Sequence, residues 1–541
     1  MGNHVRDEPR VLSMRLWVCG LCLVMACRGS HRVIITHPSA VTDPPASAPL
    51  PPVRAADSGR AGELVRHSLV GPLQSLFNSP GVARRLAGRR TEAYNVTSAD
   101  EVADDGWFVS RANDRNAWHA AEATPDTGTP WSIVNWHRTS PLPVVTIRDA
   151  AGREYWLSFD APEFPELATT AEIVTAQLYR AAGYHVPTVA LVRFDVDRQL
   201  VSSPDSLRRA LDALPRDAVG RLRAVAHHVT GQALGAFSFS GHRADDPADS
   251  IPHEHRRELR GLYVVAAWLN HTGLFRGTTL DVGIEGGTPA VRHYLLGLET
   301  ALDAEAGGRP KRTRSGSEAT WDAGKIGSRL LTLGFYAVPW ERAGAAEFDP
   351  GHWTPSFPNS AFAHRTTRDG YWGAKRVGGI SPQQIAAAVW AAQPSDSIHA
   401  QALIAMLQAR RTATLRYWYG RVTPLDEPAL RHAGSENVLA FRDLMVGEGL
   451  ATAGPRAYHM SASWSVVTTD SASLSDAGSG TLHLPPWKAC SESALAGRPI
   501  EQRVAWIDIR AEPELDVKPR ALRLFVLCES GREYRLVGWR Y

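Results

Sequence analysis

The residues that could bind a metal or move protons cluster in the second half of the chain. His253, Glu254 and His255 stand together, and His271 and His293 follow. Zinc ligands on one helical face need a spacing of four, as in His-Glu-x-x-His. His253 and His255 are two apart and point in different directions from a helix start, so no metal site is expected. Glu254 is read as an acid favoured near a helix N-terminus. Asp126-Thr127-Gly128 has the form of an aspartic-protease half-site. That chemistry needs two carboxylates face to face, and no second copy occurs, so a polar turn is expected. The chain has no Walker A loop, no Gly-x-Ser-x-Gly and no His-Glu-x-x-His.

The elements that would carry chemistry centre on Ile251 to Asp303. Leu259, Leu262, Val265, Ala266 and Leu269 recur at helical spacing and predict a buried helix. A loop follows from Asn270 to Thr279, and Val291 to Leu296 reads as a short apolar strand. Upstream, the segment 131–160 reads as three strands, with Ala151-Gly152 as a turn. A helix is then predicted from Thr169 to Gly183, with Glu172 in a capping box. Ser381-Pro382-Gln383-Gln384 is a helix start, and a second helix is predicted over 397–422. The last hundred residues alternate apolar and polar positions in AYHMSASWSVV, RVAWIDIRA, RALRLFVLC and REYRLVGWR. They predict a small β-sandwich. Lys375 is read as a solvated lysine, and Arg243 as the partner of Asp245 and Asp246.

The segment PHEHRRELRGL, with the loop and strand after it, resembles a group of exported bacterial proteins with kinase-like motifs. The likeness starts near AYNVTSADEVADDGWFVSR and continues through FDPGHWTPSFPNSAF, RDGYWGAKRV and Arg410-Arg411, covering roughly residues 65–450. In that group the loop reads Asn-His-Asp-Asp, then Asn-Thr-Leu-Asp, and the strand ends Asp-Phe-Gly. These look like the catalytic Asp, the metal-binding Asn and the metal-binding Asp of kinases. The resemblance implies an α+β fold: a two-lobed protein-kinase-like core, here with a C-terminal β-sandwich-like domain.

The chemical positions differ in this chain. Thr272 and Gly273 stand at the loop acids, Thr278 at the Asn, and Gly297-Leu298-Glu299 at Asp-Phe-Gly. The strand lysine that would hold phosphates is Ser158, and the turn 136–141 contains no glycine. Glu172 would be the lysine's glutamate partner, but without a lysine the capping reading is preferred. Phosphoryl transfer is positioning plus charge neutralisation by lysine and metal. With Ser158, Gly273, Thr278 and Gly297 in those places, no catalytic residue and no cofactor are expected. Asp281, Glu299 and Asp303 are the candidates for replacement carboxylates. Restoring Ser158→Lys, Gly273→Asp, Thr278→Asn and Gly297→Asp together is expected to return nucleotide binding before activity.

The chain has 541 residues and a formal net charge of +3, which gives no argument for nucleic acid. Arg10 and Arg15 precede an apolar run, Leu16 to Ala26, that is too short to span a bilayer. The run ends Val24-Met25-Ala26-Cys27, which looks like a lipobox with Cys27 lipidated. Residues 1–26 then form a lipoprotein signal peptide and 27–57 a Pro-rich linker. Residues 58–130 are an N-terminal extension, 131–205 the small lobe, 206–430 a mainly helical large lobe, and 433–541 the β-domain. Of the five cysteines, Cys490 and Cys528 remain after processing. In an oxidising compartment they are expected to form a disulfide.

Three functions stay open from the residues. The first is a lipoprotein of the bacterial cell envelope with a degenerate kinase-like core, acting as a binding or structural module. It would sit on the outer membrane through its lipid and meet a protein partner. The second is a divergent phosphotransferase using the replacement carboxylates. The third is a surface lipoprotein binding glycan or polymer through the β-domain.

Overall fold

A computed structural model describes residues 91–111, 124–139, 142–243, 246, 249–284, 290–305, 307–310, 348–433, 436–462, 465–484, 496–497, 499, 503–513, 517–528 and 534–541. They form a mixed α+β structure with several antiparallel sheets. Cys27, Cys490 and Asp245 lie outside the described residues.

The first sheet contains β1 (Ser132–Thr139), β2 (Leu142–Arg148), β3 (Glu154–Phe159), β4 (Thr188–Phe194) and β5 (Leu222–His228), in the order β1-β2-β3-β5-β4. Helix α1 (Leu167–Ala181) joins β3 to β4. Side chains alternate across a strand, so Tyr155, Leu157 and Phe159 face one way. They pack with Val145, Ile147 and Phe194 and with Leu207 and Leu211 of α2 (Asp205–Asp212). Trp156 and Ser158 therefore face the opposite side of the sheet.

The start of α1 corrects the capping expectation. The helix begins at Leu167, its N-cap Glu166 makes no side-chain cap, and Asp160 caps instead. The Asp160 carboxylate accepts the Thr169 N–H at 2.9 Å and the Thr169 hydroxyl at 2.7 Å. Glu172 is left for another role.

Helix α3 (Arg257–Leu269) is buried along its whole length. Its arginines are held by carboxylates from distant segments. Arg257 meets Asp100 at 2.9 Å, and Arg260 lies 3.4 Å from Asp369. Helix α4 (Thr367–Gly378) crosses it with glycine against glycine. A Cβ on Gly261 would lie 2.5 Å from Trp372, and one on Gly373 would lie 2.4 Å from the Gly261 carbonyl oxygen. After α3 come β7 (Thr279–Ile284) and β8 (Ala290–Leu295), in a sheet with β6 (Gln232–Gly235), then a short pair, β9 (Ala304–Glu305) and β10 (Arg309–Pro310). Helices α5 (Pro382–Ala391) and α6 (Ser397–Tyr419) complete the helical part. Ser381 and Gln384 form the expected capping box.

The C-terminal part has two antiparallel sheets. One is β11 (Leu425–Ala433), β12 (Glu436–Asp443) and β15 (Ser479–Leu484). The other is β13 (Gly454–Ala462), β14 (Ser465–Leu474), β16 (Val504–Ala511), β17 (Leu522–Cys528) and β18 (Tyr534–Arg540), in the order β14-β13-β16-β17-β18. Their inner faces meet, with Phe441 against Tyr458 at 5.5 Å and no room for a side chain on Gly480 beside Leu474. Sheet formation begins at Leu425, directly after α6.

Residues 91–111 run across these parts. Ser98 accepts the Trp539 N–H at 2.8 Å, Gly106 accepts the His293 N–H at 2.9 Å, and Val109 donates to Gly183 at 3.0 Å. Lys375 is buried here, not solvated: its Nζ donates to Glu101 at 2.5 Å and to Asp426 at 2.6 Å. It joins the N-terminal segment, α4 and β11.

Candidate functional site

The side of the first sheet that faces α1 carries a compact polar cluster. Ser158 Oγ on β3 donates to Glu172 Oε2 on α1 at 2.5 Å. His227 Nε2 on β5 lies 3.0 Å from Ser158 Oγ and 3.1 Å from the same Glu172 oxygen. The Trp156 ring lies parallel to His227, 5.1 Å away and 4° off. Glu172 and His227 are 3% and 6% exposed, so a lone carboxylate there would be costly. The hydroxyl and the imidazole supply its hydrogen bonds.

This cluster is not a nucleophile relay. In such a relay the base takes the hydroxyl proton on one ring nitrogen while an acid holds the other. Here Nε2 faces both the hydroxyl and the acid, and Ser158 gives its own proton to Glu172. The arrangement binds its members to each other.

Glu299 approaches the cluster from the turn after β8. Burial, and then the negative charge of Glu172, push its carboxyl up to about 7, and His227 partly offsets them. The other two replacement carboxylates are engaged elsewhere. Asp281 on β7 is fully buried, with His293 Nδ1 and Arg243 Nη1 each 2.6 Å from its oxygens. Asp303 accepts from Asn270 Nδ2 at 2.6 Å and pairs with Arg410 at 3.2 Å.

The loop after α3 has its own order. Asn270 ends the helix in a left-handed conformation at φ 50°. His271 Nε2 lies 3.0 Å from the Gly297 carbonyl oxygen, so it donates, and Nδ1 takes the Tyr179 hydroxyl at 2.9 Å. Thr278 Oγ1 accepts the Phe275 N–H at 3.1 Å and lies 2.8 Å from the Gly273 carbonyl oxygen, closing a turn. A Cβ on Gly273 would lie 2.2 Å from Thr300 Oγ1. Gly297 has φ 71°, and a Cβ there would lie 2.7 Å from Thr278 Cγ2. Acidic side chains at the two glycine positions therefore have no space, and the expectation that substitution alone returns nucleotide binding is revised.

His253 and His255 take different partners. His253 Nδ1 lies 2.5 Å from the Ser238 carbonyl oxygen and Nε2 lies 2.7 Å from Asp249. His255 instead meets Arg260 and stacks on Tyr94. Glu254 accepts the Gly241 N–H at 2.7 Å and is not a helix cap. Arg243 pairs with Asp281. Trp107 stacks on His293 at 3.5 Å. Asp126 accepts from Gly128 and Thr129 in a polar turn.

Among the described residues no group of three or more His, Cys, Asp or Glu is placed to hold a metal. Among them, no helix is long and apolar enough to cross a membrane. Cys528 is buried and disulfide-bonded.

Sequence reasoning missed His227 and Trp156. His227 lies in RLRAVAHHVTG, where β5 is buried on both faces and the alternation that marks a strand is lost. A histidine pair ending such a run was the one available signal.

No family model and no curated protein matches the chain. Among solved structures it is similar to the crystal structure of a Helicobacter pylori proinflammatory kinase, CtkA, at 11% identity, covering 55% of this chain and 98% of that one, with a TM-score of 0.30.

Proposed function

We propose that the chain is an envelope lipoprotein, tethered through Cys27, whose two-lobed kinase-like core has lost phosphotransfer and serves as a binding or structural module. The observation that carries the reading is the Ser158–Glu172–His227 cluster. The resemblance assigns β3 a lysine that pairs with Glu172 and neutralises phosphates. Here Glu172 is satisfied from within by Ser158 at 2.5 Å and His227 at 3.1 Å. The place of a phosphate-binding cation is taken by a neutral hydroxyl, beside a second acid, Glu299. A triphosphate entering there would meet two carboxyl groups and no lysine, and like charges repel. The closed turn at Thr278 and the tight contacts of Gly273 and Gly297 support the same reading, since none of the three offers a carboxylate to a metal.

The phosphotransferase alternative rests on Glu299, the one replacement carboxylate beside the cluster. Labelled ATP with Mg²⁺ or Mn²⁺ tests both readings. The proposal expects no labelling of the chain or of added proteins. Labelling that disappears in Glu299→Ala would overturn it and make Glu299 a metal ligand. A titration with Mg-ATP followed by thermal unfolding gives a second readout, because a ligand bound only by the folded state must raise its stability.

A further inference from the structure

We propose that helix α1 is latched to the sheet and to the loop after α3 by polar contacts that need no ligand, so its position does not respond to the cleft's occupancy. The proposal rests on the reading that the core has lost phosphotransfer, and extends it to how the core is controlled.

Three groups of contacts pin the helix along its length. At its start, Asp160 caps Thr169 at 2.9 Å, and Arg223 Nε donates to Thr169 Oγ1 at 2.9 Å. The same guanidinium donates to the Ala392 carbonyl oxygen at 2.7 Å, at the end of α5. In the middle, Glu172 accepts from Ser158 on β3 and meets His227 on β5. Near its end, the Tyr179 hydroxyl reaches His271, which in turn donates to Gly297. The helix is thus tied to β3, β5, α5 and the loop after α3 at once.

The middle contact decides the matter. A helix glutamate that needs a lysine is held in place only when that lysine is in place. Glu172 needs none, because a hydroxyl and an imidazole from two neighbouring strands already serve one of its oxygens. Both donors sit on the sheet itself, so the contact closes whenever the sheet forms. Burial of Tyr179 and Val174 in the main core adds apolar adhesion.

Hydrogen exchange of the whole chain, read by peptide mass, tests the latch. In the unaltered protein the amides of 167–181 should exchange as slowly as those of α3, with and without Mg-ATP. The double variant Ser158→Ala, His227→Leu should speed exchange in 167–181 and 298–300 by at least about tenfold, with α3 unchanged. Glu172→Gln, which keeps an acceptor, should fall between the two. Protection of α1 that rises on adding Mg-ATP would overturn the latch, as would fast exchange in the unaltered protein or no change in the double variant. If the double variant fails to fold, α3 loses protection too, and Ser158→Ala alone carries the comparison. ATP labelling with α1 still protected would sink the non-catalytic reading and leave the latch standing, so the two failures are distinct.

Discussion

Thr300 fills the space that a side chain on Gly273 would need: its Oγ1 lies 2.2 Å from where a Cβ would sit. Gly297 stands in the same relation to Thr278, at 2.7 Å and with a left-handed backbone. The variant Ser158→Lys, Gly273→Asp, Thr278→Asn, Gly297→Asp is therefore expected to lose stability rather than regain nucleotide. Overpacking costs about 1–3 kcal/mol at a site such as Gly273, and Gly297→Asp adds a side chain at a left-handed φ. Denaturant unfolding should show the loss, and Mg-ATP should not reverse it. Adding Thr300→Ala should recover part of the stability.

Glu299 makes the contact between its turn and α1 sensitive to pH. Its carboxyl is raised from 4.5 to about 7 by burial and by Glu172. A carboxyl raised by folding contributes stability below its unfolded pKa and loses it as pH rises through the folded value. Glu299→Gln should therefore leave stability nearly unchanged at pH 4 and raise it relative to the unaltered chain at pH 8. A pH series of unfolding midpoints checks this, and equal midpoint differences at both pH values would count against it.

Glu101 behaves in the opposite sense. Burial would raise its carboxyl, but Lys375 and Arg376 override this and hold it down to about 2. Its contribution is present above 4.5 and lost as pH falls toward 2. Glu101→Gln is expected to cost about 1–3 kcal/mol at pH 7, because Lys375 loses one of the two acids it donates to among the described residues. The cost should shrink at pH 3.

The cysteines give two further outcomes. Cys528 is expected to be joined to Cys490, and a non-reducing peptide map should recover the two in one fragment. Cys490→Ser should then destabilise by about 3–4 kcal/mol in the chain-entropy model. Cys27→Ser should release the protein from the membrane fraction or leave it unprocessed, and unchanged retention would refute the lipid anchor.

The sequence showed elements wherever caps stand at their ends or apolar residues recur at a regular spacing. Helix α3, the capped start of α5, and the strands β13, β16, β17 and β18 all carry the expected periodicities. It did not show β5, because burial on both faces erases alternation, nor β11, whose run LDEPALRHA contains a proline and charges. Ser158 was legible as a polar residue in a predicted strand. Its contact with His227 was not, because His227 comes from a strand 69 residues further on. Lys375 likewise looked solvated, since its two acids lie 274 and 51 residues away.

The bond from Trp539 to Ser98 joins positions 441 apart in the chain, and the Tyr541 N–H reaches Asp100 at 3.4 Å. Contacts of such separation close late, after the loop entropy between them is met. The segment around Ser98 emerges early from the ribosome, yet its bonds to β18 and Tyr541 close only when those residues have followed. Until then the Ser98 carbonyl and the Asp100 carboxylate lack the N–H groups of Trp539 and Tyr541, and a holding chaperone would have most to bind in that interval.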